Sequence, residues 1–160
     1  LRVYQIRNIT EGLANTKVGP VGAMGVAVFL AGIYSVVMHI ASGDPLFLLY
    51  VLISGMIYGS YYLLTRRAAL AMASHFAWDF TVSFIFLLGG SNVGEPALFL
   101  VPINQVPGIN TGTLIAVLGI AVRLIGLGFV ILWVRWREGK IHLHKEITAP
   151  SLLAQESPTM

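Results

Sequence analysis

The sequence has no cysteine and few charged residues, and each scarcity excludes a class of protein. With no Cys among 160 residues, disulfides and thiolate metal sites are excluded. Charged residues make up only 11% of the chain, whereas soluble domains carry about 25%. Hydrophobic residues make up 56%, so there is too little polar surface to cover a water-soluble globule. The chain is therefore predicted to lie in a membrane.

Four apolar stretches are long enough to cross a hydrocarbon core, which needs about 20 residues. They are residues 21–40, 46–64, 68–88 and 113–134. Core helices of a soluble protein would need a polar shell around them, and a chain of this length has no room for one. We therefore predict an all-α integral membrane protein with about four transmembrane helices, in contact with the lipid bilayer.

The positions of lysine and arginine predict the orientation of these spans. The segments 41–45 and 89–112 contain neither residue type, so all but Arg123 fall on one side of a four-span topology. Lysine and arginine near span ends mark the cytoplasmic side. Both ends of the chain are therefore predicted to be cytoplasmic. Because these charges follow the span ends and are not interleaved with aromatic residues, nucleic acid is not a predicted partner.

Four ionisable residues lie within the spans, where they are costly and therefore suggest function. They are His39, His75, Asp79 and Arg123. The four-residue spacing of His75 and Asp79 puts both on one face of a helix. A carboxylate there can orient an imidazole. Two histidines and a carboxylate are enough to activate a water or to bind a metal ion.

Structural interpretations of the same residues stay open. His39 lies near the end of its span, where a histidine is often an interfacial or packing residue. The pair His75 and Asp79 can serve as interhelical hydrogen-bonding groups. Arg123 can partner a buried carboxylate, for which Asp79 is a candidate, or extend towards the interface. Counted from the cytoplasmic ends of their spans, His39 and His75 differ in depth by roughly 16 Å, too far for one shared water.

Three segments resemble motifs of the CAAX prenyl endopeptidase and bacteriocin-processing family of intramembrane proteases, the Abi or CPBP family. Residues 73–80, Ala-Ser-His-Phe-Ala-Trp-Asp-Phe, resemble its last motif, His-x-x-x-Asn or His-x-x-x-Asp. Residues 34–39 resemble its Phe-x-x-x-His motif, with Ser35 at the aromatic position. Residues 55–65 resemble its glycine-bearing helix. The order and spacing of the partial motifs make the resemblance fairly specific.

The N-terminal segment is similar to the stretch that begins at the arginine of the family motif Glu-Glu-x-x-x-Arg. Arg2 is the matching arginine, with Val3 in place of the common glycine. The two glutamates are then expected before Leu1. The resemblance covers about residues 1–80. It implies that residues 1–137 are part of a larger helical bundle whose remainder is missing at the N-terminus. Residues 138–160 are predicted to form a disordered cytoplasmic tail.

The resemblance implies an endopeptidase that hydrolyses a peptide bond near the cytoplasmic membrane face. His39 and His75 would activate water or bind a divalent metal such as zinc, together with a motif glutamate. Asp79 would occupy the oxyanion or orienting position, but an ionised Asp would repel an oxyanion where Asn donates to it. Arg2 would complete the site. The implied substrate is a peptide or a prenylated protein, and without the glutamate pair the 160 residues alone are expected to be inactive.

Two other functions are compatible with the same residues. A non-catalytic membrane scaffold or immunity-type protein of the same fold would act by binding a partner. A small transporter or channel subunit would line a polar path with the ionisable residues, but inverted repeats, which favour that function, are absent from the sequence. The 89–112 segment is predicted to be an external loop.

Overall fold

The computed structural model describes residues 2–88, 98–101 and 111–141. Its helices are α1 (Arg2–Ala14), α2 (Gly19–His39), α3 (Pro45–Thr65), α4 (Ala68–Phe80) and α5 (Thr111–Glu138). A 3₁₀ turn, Ile40–Ser42, follows α2, and a π-helical turn, Thr81–Ile85, continues α4. Strands β1 (Phe86–Leu88) and β2 (Phe99–Val101) pair in parallel, with Phe86 opposite Phe99.

Four helical segments of the described residues are long and apolar enough to cross a membrane. They are Gly19–Ser42, Pro45–Thr65, Ala68–Ile85 and Gly112–Glu138. The chain is thus an all-α, multi-pass membrane protein, as the composition predicts. The three-residue strands are a local feature beyond the end of the third span.

The turn between α2 and α3 follows directly from its sequence. Gly43 has a φ of 68°, in the left-handed region that glycine adopts without steric cost. The Asp44 carboxylate caps α3 by accepting hydrogen bonds from the backbone N–H groups of Leu46 and Phe47, at 2.9 and 3.4 Å. Pro45 occupies the first turn of α3, where its missing N–H costs nothing. Helix α3 therefore starts immediately and runs back antiparallel to α2.

Helix α3 is the centre of the bundle, because each of the other helices packs against it. Its C-terminal half and its middle contact α1 and α2 through a cluster that includes Ile6, Val28 and Leu63. A second cluster joins Tyr50 and Val51 to Ala116 of α5. A third joins α3 to both α4 and α5 and is made of Ile57, Tyr58 and Tyr61, packed on Leu70, Ala71, Leu127 and Val130.

Glycines set the distance between α2 and α3. A Cβ on Gly55 would lie 3.0 Å from the Cα of Gly32 and 2.5 Å from the Oγ of Ser35. A Cβ on Gly32 would lie 2.9 Å from the Leu52 carbonyl oxygen. Small residues that allow backbones to approach are the usual basis of helix association in membranes. These glycines therefore bring the two helices into close contact.

The outward faces of α4 and α5 expose large apolar side chains. On α4 and its continuation, Met72, Phe76, Phe80 and Phe84 are exposed and repeat every four residues. The rings of Phe76, Phe80 and Phe84 stack in sequence, with centroids 5.7 and 5.5 Å apart. A soluble protein rarely exposes so large an apolar surface. In a bilayer such a surface faces lipid tails.

Two features differ from the sequence prediction. The third span was expected to be helical to residue 88, but the helix ends at Ile85 and residues 86–88 form β1. The periodicity of a short apolar run does not distinguish a strand from a helix. Residues 86–88 form a strand because they pair with β2. Helix α1 was not expected, because polar and charged residues interrupt its apolar ones and it is too short to span a membrane. Most of the predicted external loop and of the predicted tail lies outside the described residues.

Candidate functional site

A cavity of about 740 Å³ lies between α1 and α4, over the surface of α3. Its walls combine tyrosines and small or apolar side chains with two ionisable residues, Arg7 and His75. The tyrosines are Tyr4, Tyr34, Tyr58 and Tyr62. A pocket that is mostly apolar and has a few polar groups is the usual form of a ligand site. The cavity is therefore the candidate site of the described residues.

His75 and Asp79 form a pair on α4, as their spacing predicts. The Nε2 of His75 lies 3.3 Å from Oδ2 of Asp79, and the side chains are 48% and 56% exposed. A carboxylate at this distance fixes the orientation of the imidazole. The pair belongs to the middle of a candidate membrane span. Half-exposed ionisable groups at that level require a polar environment rather than lipid.

Tyr58 of α3 packs against His75. The two rings meet edge to face at 90°, with centroids 5.1 Å apart. Tyr58 is 4% exposed, so its ring is held by the bundle while it lines the cavity. The imidazole of His75 is therefore oriented from two sides, by Asp79 on its own helix and by Tyr58 on the central helix.

Arg123 of α5 is buried among aromatic rings. Its guanidinium carbon lies 4.8 Å from the ring centre of Tyr50, 5.4 Å from that of Tyr58 and 4.4 Å from that of Trp78. Nε donates a hydrogen bond to the Tyr58 hydroxyl at 3.0 Å, and Nη1 donates one to the Gly119 carbonyl at 3.0 Å. In the described residues no carboxylate pairs with Arg123, so the suggested partner Asp79 contacts His75 instead. Cation–π contacts take the place of an ion pair.

Glycines on α5 make room for this arrangement. A Cβ on Gly119 would lie 2.5 Å from Cε2 of Tyr50 and 3.0 Å from Cζ2 of Trp78. A Cβ on Gly126 would lie 2.7 Å from the Tyr61 hydroxyl oxygen, which donates a hydrogen bond to the Arg123 carbonyl at 3.3 Å. Arg123 therefore connects α5 to both α3 and α4 at the level of the site.

The structure does not bring His39 to His75. His39 ends α2 and contacts Phe47, near the start of α3, with ring centroids 5.9 Å apart. His75 contacts Tyr58, eleven residues further along α3 (58 minus 47). Eleven helical residues span roughly 16 Å, which is the separation that counting along the spans predicts. His39 donates from Nδ1 to the Ser35 carbonyl at 2.8 Å, which leaves Nε2 as the acceptor when the ring is neutral.

The described residues do not fit the predicted zinc ion. A catalytic zinc needs three protein ligands, and no group of three His, Asp or Glu side chains comes together within the part of the chain that the structure describes. His75 and Asp79 supply two, and His39 is too distant to be a third.

The N-terminal helix lies at the level of His75. Cδ1 of Ile6 approaches Gly59, the residue after Tyr58. Arg2 is one turn earlier in α1, and its side chain lies outside the described residues. Arg7 lines the cavity and donates from Nε to Glu11 at 2.7 Å. This hydrogen bond raises the pKa of the Arg7 guanidinium above its usual range.

Sequence reasoning missed most of the cavity wall. Tyr58 and Tyr62 are four residues apart on α3, and both line the cavity. The spacing of Tyr58 and Tyr62 was a signal for a shared face, although no pattern shows which partner that face meets. Tyr4 and Arg7 were missed because α1 was not predicted.

The class of protein that these features define is a membrane-embedded helical bundle with a tyrosine-lined cavity, on whose wall lies a histidine that is paired with a carboxylate. The family model of the Rce1-like type II CAAX prenyl endopeptidases matches residues 2–81. The chain belongs to this family of intramembrane proteases, whose substrates are peptides or proteins, and the predicted family is thereby confirmed. The match contains α1 to α4 and ends before α5. No curated protein and no solved structure matches the chain.

Proposed function

We propose that this protein is an intramembrane endopeptidase that hydrolyses a peptide bond near the cytoplasmic face of the membrane. The observation that carries the proposal is the position of the His75–Asp79 pair beside a large cavity in a chain of this protease family. His75 is seven residues from Ala68, the first residue of α4, and thus about 10 Å from the helix start. The predicted orientation, with both ends of the chain in the cytoplasm, would put that start at the cytoplasmic face.

His75 would act on a water molecule in the cavity. Taking a proton from that water makes its oxygen a nucleophile for the peptide carbonyl. The carboxylate of Asp79 orients the ring and stabilises the imidazolium that forms. When the C–N bond breaks, the imidazolium returns the proton to the leaving amine. Asp79 is therefore assigned an orienting role, because an ionised carboxylate would repel the oxyanion.

The glutamate pair of the family motif would come from residues before Leu1. The backbone of α1 supports this placement, because Arg2 lies one turn from Ile6, which is level with Tyr58 and His75. Codons upstream of Leu1 should then encode Glu-Glu-x-x. His39 and a divalent metal remain predictions. A metal site would require ligands in addition to the His75–Asp79 pair.

The substrate class follows from the shape and lining of the cavity. Its tyrosines, alanines and Met72 provide an apolar wall for a lipid or apolar peptide segment, and His75 lies on the same wall. We propose a peptide or a prenylated protein tail as the substrate. Comparing a farnesylated peptide with the same peptide lacking the farnesyl group tests the lipid preference.

The test uses protein expressed from the whole coding sequence and assays cleavage by His75→Ala. We expect turnover to fall by at least about 100-fold, the usual contribution of an acid–base group. The matched control is Phe76→Ala, because Phe76 is the next residue on α4 and is 68% exposed. Undiminished turnover in His75→Ala would contradict the proposal. Absence of cleavage by the unaltered protein would favour the scaffold function, for which the separation of His39 from His75 is the supporting observation.

A further inference from the structure

We propose that a groove between α4 and α5 binds a phospholipid with a net negative headgroup, at the end of the bundle where α4 begins and α5 ends. The groove has a volume of about 500 Å³ and is lined by Arg67, Ala69, Leu70, Phe129, Val130 and Trp133. Ligand pockets have volumes of about 300–1,000 Å³. The groove shares no lining residue with the cavity that contains His75, and the inference does not depend on the peptidase function.

The inner part of the groove is an apolar gap between two helices that both pack on α3. Leu70 of α4 and Val130 of α5 line the gap and also pack against the buried cluster of α3. Ala69 and Phe129 line it as well, and the side chain of Phe129 is 69% exposed. All four residues belong to candidate membrane spans. The gap therefore opens to hydrocarbon, and an acyl chain has the chemistry to fill it.

Helix α5 presents an apolar, an aromatic and a basic residue in that order along one face. Phe129, Trp133 and Arg137 are four residues apart in sequence, a spacing that puts them on the same side of a helix over about 12 Å. The guanidinium carbon of Arg137 lies 5.4 Å from the ring centre of Trp133. Arg67 lines the groove from α4, immediately before its first residue. The order along the groove matches that of a phospholipid: acyl chain, interfacial region and phosphate.

The charge at the outer end of the groove is complementary to an anion. A guanidinium donates paired hydrogen bonds in a geometry that fits a phosphate. In the part of the chain that the structure describes, no carboxylate lines the groove. Glu138 follows Arg137 in sequence but is not one of the lining residues. Basic pockets between transmembrane helices on the cytoplasmic side bind anionic lipid headgroups, and the predicted orientation assigns this end to that side.

Arginine and tryptophan also occur at span ends without binding a particular lipid. Arg135 and Trp136 have the positions expected for that general role, because both are exposed, Trp136 by 84%, and neither lines the groove. Arg67 and Trp133 differ because they come from different helices and meet in one concave surface, where Trp133 is only 37% exposed. The chain thus supplies a matched control for each of the two groove residues.

The experiment measures lipid binding by native mass spectrometry, with protein expressed from the whole coding sequence and purified in detergent. Phosphatidylglycerol should bind at least about 10-fold more tightly than phosphatidylcholine with the same acyl chains, because only the first has a net negative headgroup. Arg67→Gln should weaken phosphatidylglycerol binding about 10-fold, the effect of losing one charged hydrogen-bond donor group. Arg135→Gln should change it less than about twofold, as expected for an exposed charge outside a site. Trp133→Ala should weaken the binding of both lipids, and Trp136→Ala should weaken neither.

The other outcomes would overturn the site. Equal losses in Arg67→Gln and Arg135→Gln, or equal affinity of the unaltered protein for the two lipids, would mean that only general charge attracts lipid to this end. A stable dimer that excludes phosphatidylglycerol would assign the groove to a second copy of the chain. If Arg67→Gln does not fold, Ala69→Trp provides the second test, because it keeps both arginines and fills the apolar gap. Phosphatidylglycerol binding should then be lost, and unchanged binding would overturn the proposal. No peptide is cleaved in these measurements, so failure of the peptidase function leaves the lipid site standing.

Discussion

Tyr58 accepts a hydrogen bond from Arg123 at 3.0 Å across the interface between α3 and α5. The same tyrosine meets His75 edge to face on the side of α4. A charged residue on the last helix is therefore connected to the candidate catalytic histidine through a single side chain. Changes at either end of this connection should have measurable and different effects on stability and on catalysis.

Replacing Arg123 should destabilise the bundle. Arg123→Ala removes cation–π contacts with three rings and hydrogen bonds to Tyr58 and Gly119. We expect the free energy of unfolding to fall by about 2–3 kcal/mol. Each hydrogen bond from a charged donor contributes about 1.5–3 kcal/mol, and the loss of these bonds is partly offset because the charge no longer has to be buried. Thermal unfolding in detergent would measure the change. Arg137→Ala is the control, because Arg137 is exposed and its guanidinium lies over the ring of Trp133. An equal effect of both substitutions would contradict the prediction.

The two histidines should contribute unequally to catalysis. His39→Ala should keep kcat within about threefold of the unaltered protein, because His39 is about 16 Å from His75 along α3. His75→Ala should lose at least about 100-fold. Steady-state kinetics of both variants, with zinc content measured in each, provides the check. Matching losses, or loss of a bound metal from both variants, would mean that the two histidines share one site and that the helices shift relative to each other.

The carboxylate of Asp79 should be needed as a hydrogen-bond acceptor for His75. In Asp79→Asn the side chain keeps its shape but no longer stabilises a protonated His75, so we expect kcat to fall about 10- to 100-fold. Measuring kcat and KM for this variant distinguishes two roles. If Asp79 stood in for the oxyanion-binding Asn, the substitution would preserve or raise kcat, and the orienting role would be wrong.

Contact between α2 and α3 should be sensitive to one methyl group. Gly55→Ala places a Cβ 2.5 Å from the Oγ of Ser35 and 3.0 Å from the Cα of Gly32, so neighbouring atoms must shift to accept it. Overpacking of this kind costs about 1–3 kcal/mol. Gly128→Ala on α5 is the matched control, because a Cβ there meets no atom within 4 Å. Thermal unfolding should show a lower midpoint for Gly55→Ala and an unchanged or higher one for Gly128→Ala, since alanine favours helix over glycine. A stable Gly55→Ala variant would show that the helices are further apart.

Much of the architecture follows from the sequence because the bilayer restricts it. Apolar runs of about 20 residues must form helices, since lipid offers no partner for backbone polar groups. The four spans, the all-α class and the family could therefore be predicted, as could the pairing of His75 with Asp79, which depends on helical spacing within one segment. The predicted end of the third span, at residue 88, was wrong because the local periodicity of the sequence does not reveal the pairing between β1 and β2.

Tertiary structure alone decided which residues meet across helices. The sequence shows the tyrosines of the cavity, Arg123 and the two histidines equally well. Which of them contact each other depends on the rotation and offset of each helix. Those are set by Gly32 against Gly55 and by Gly119 against Tyr50, contacts between segments far apart in the chain. For this reason the sequence determined the spans and the His75–Asp79 pair, while packing placed Tyr58 between Arg123 and His75 and kept His39 away from them.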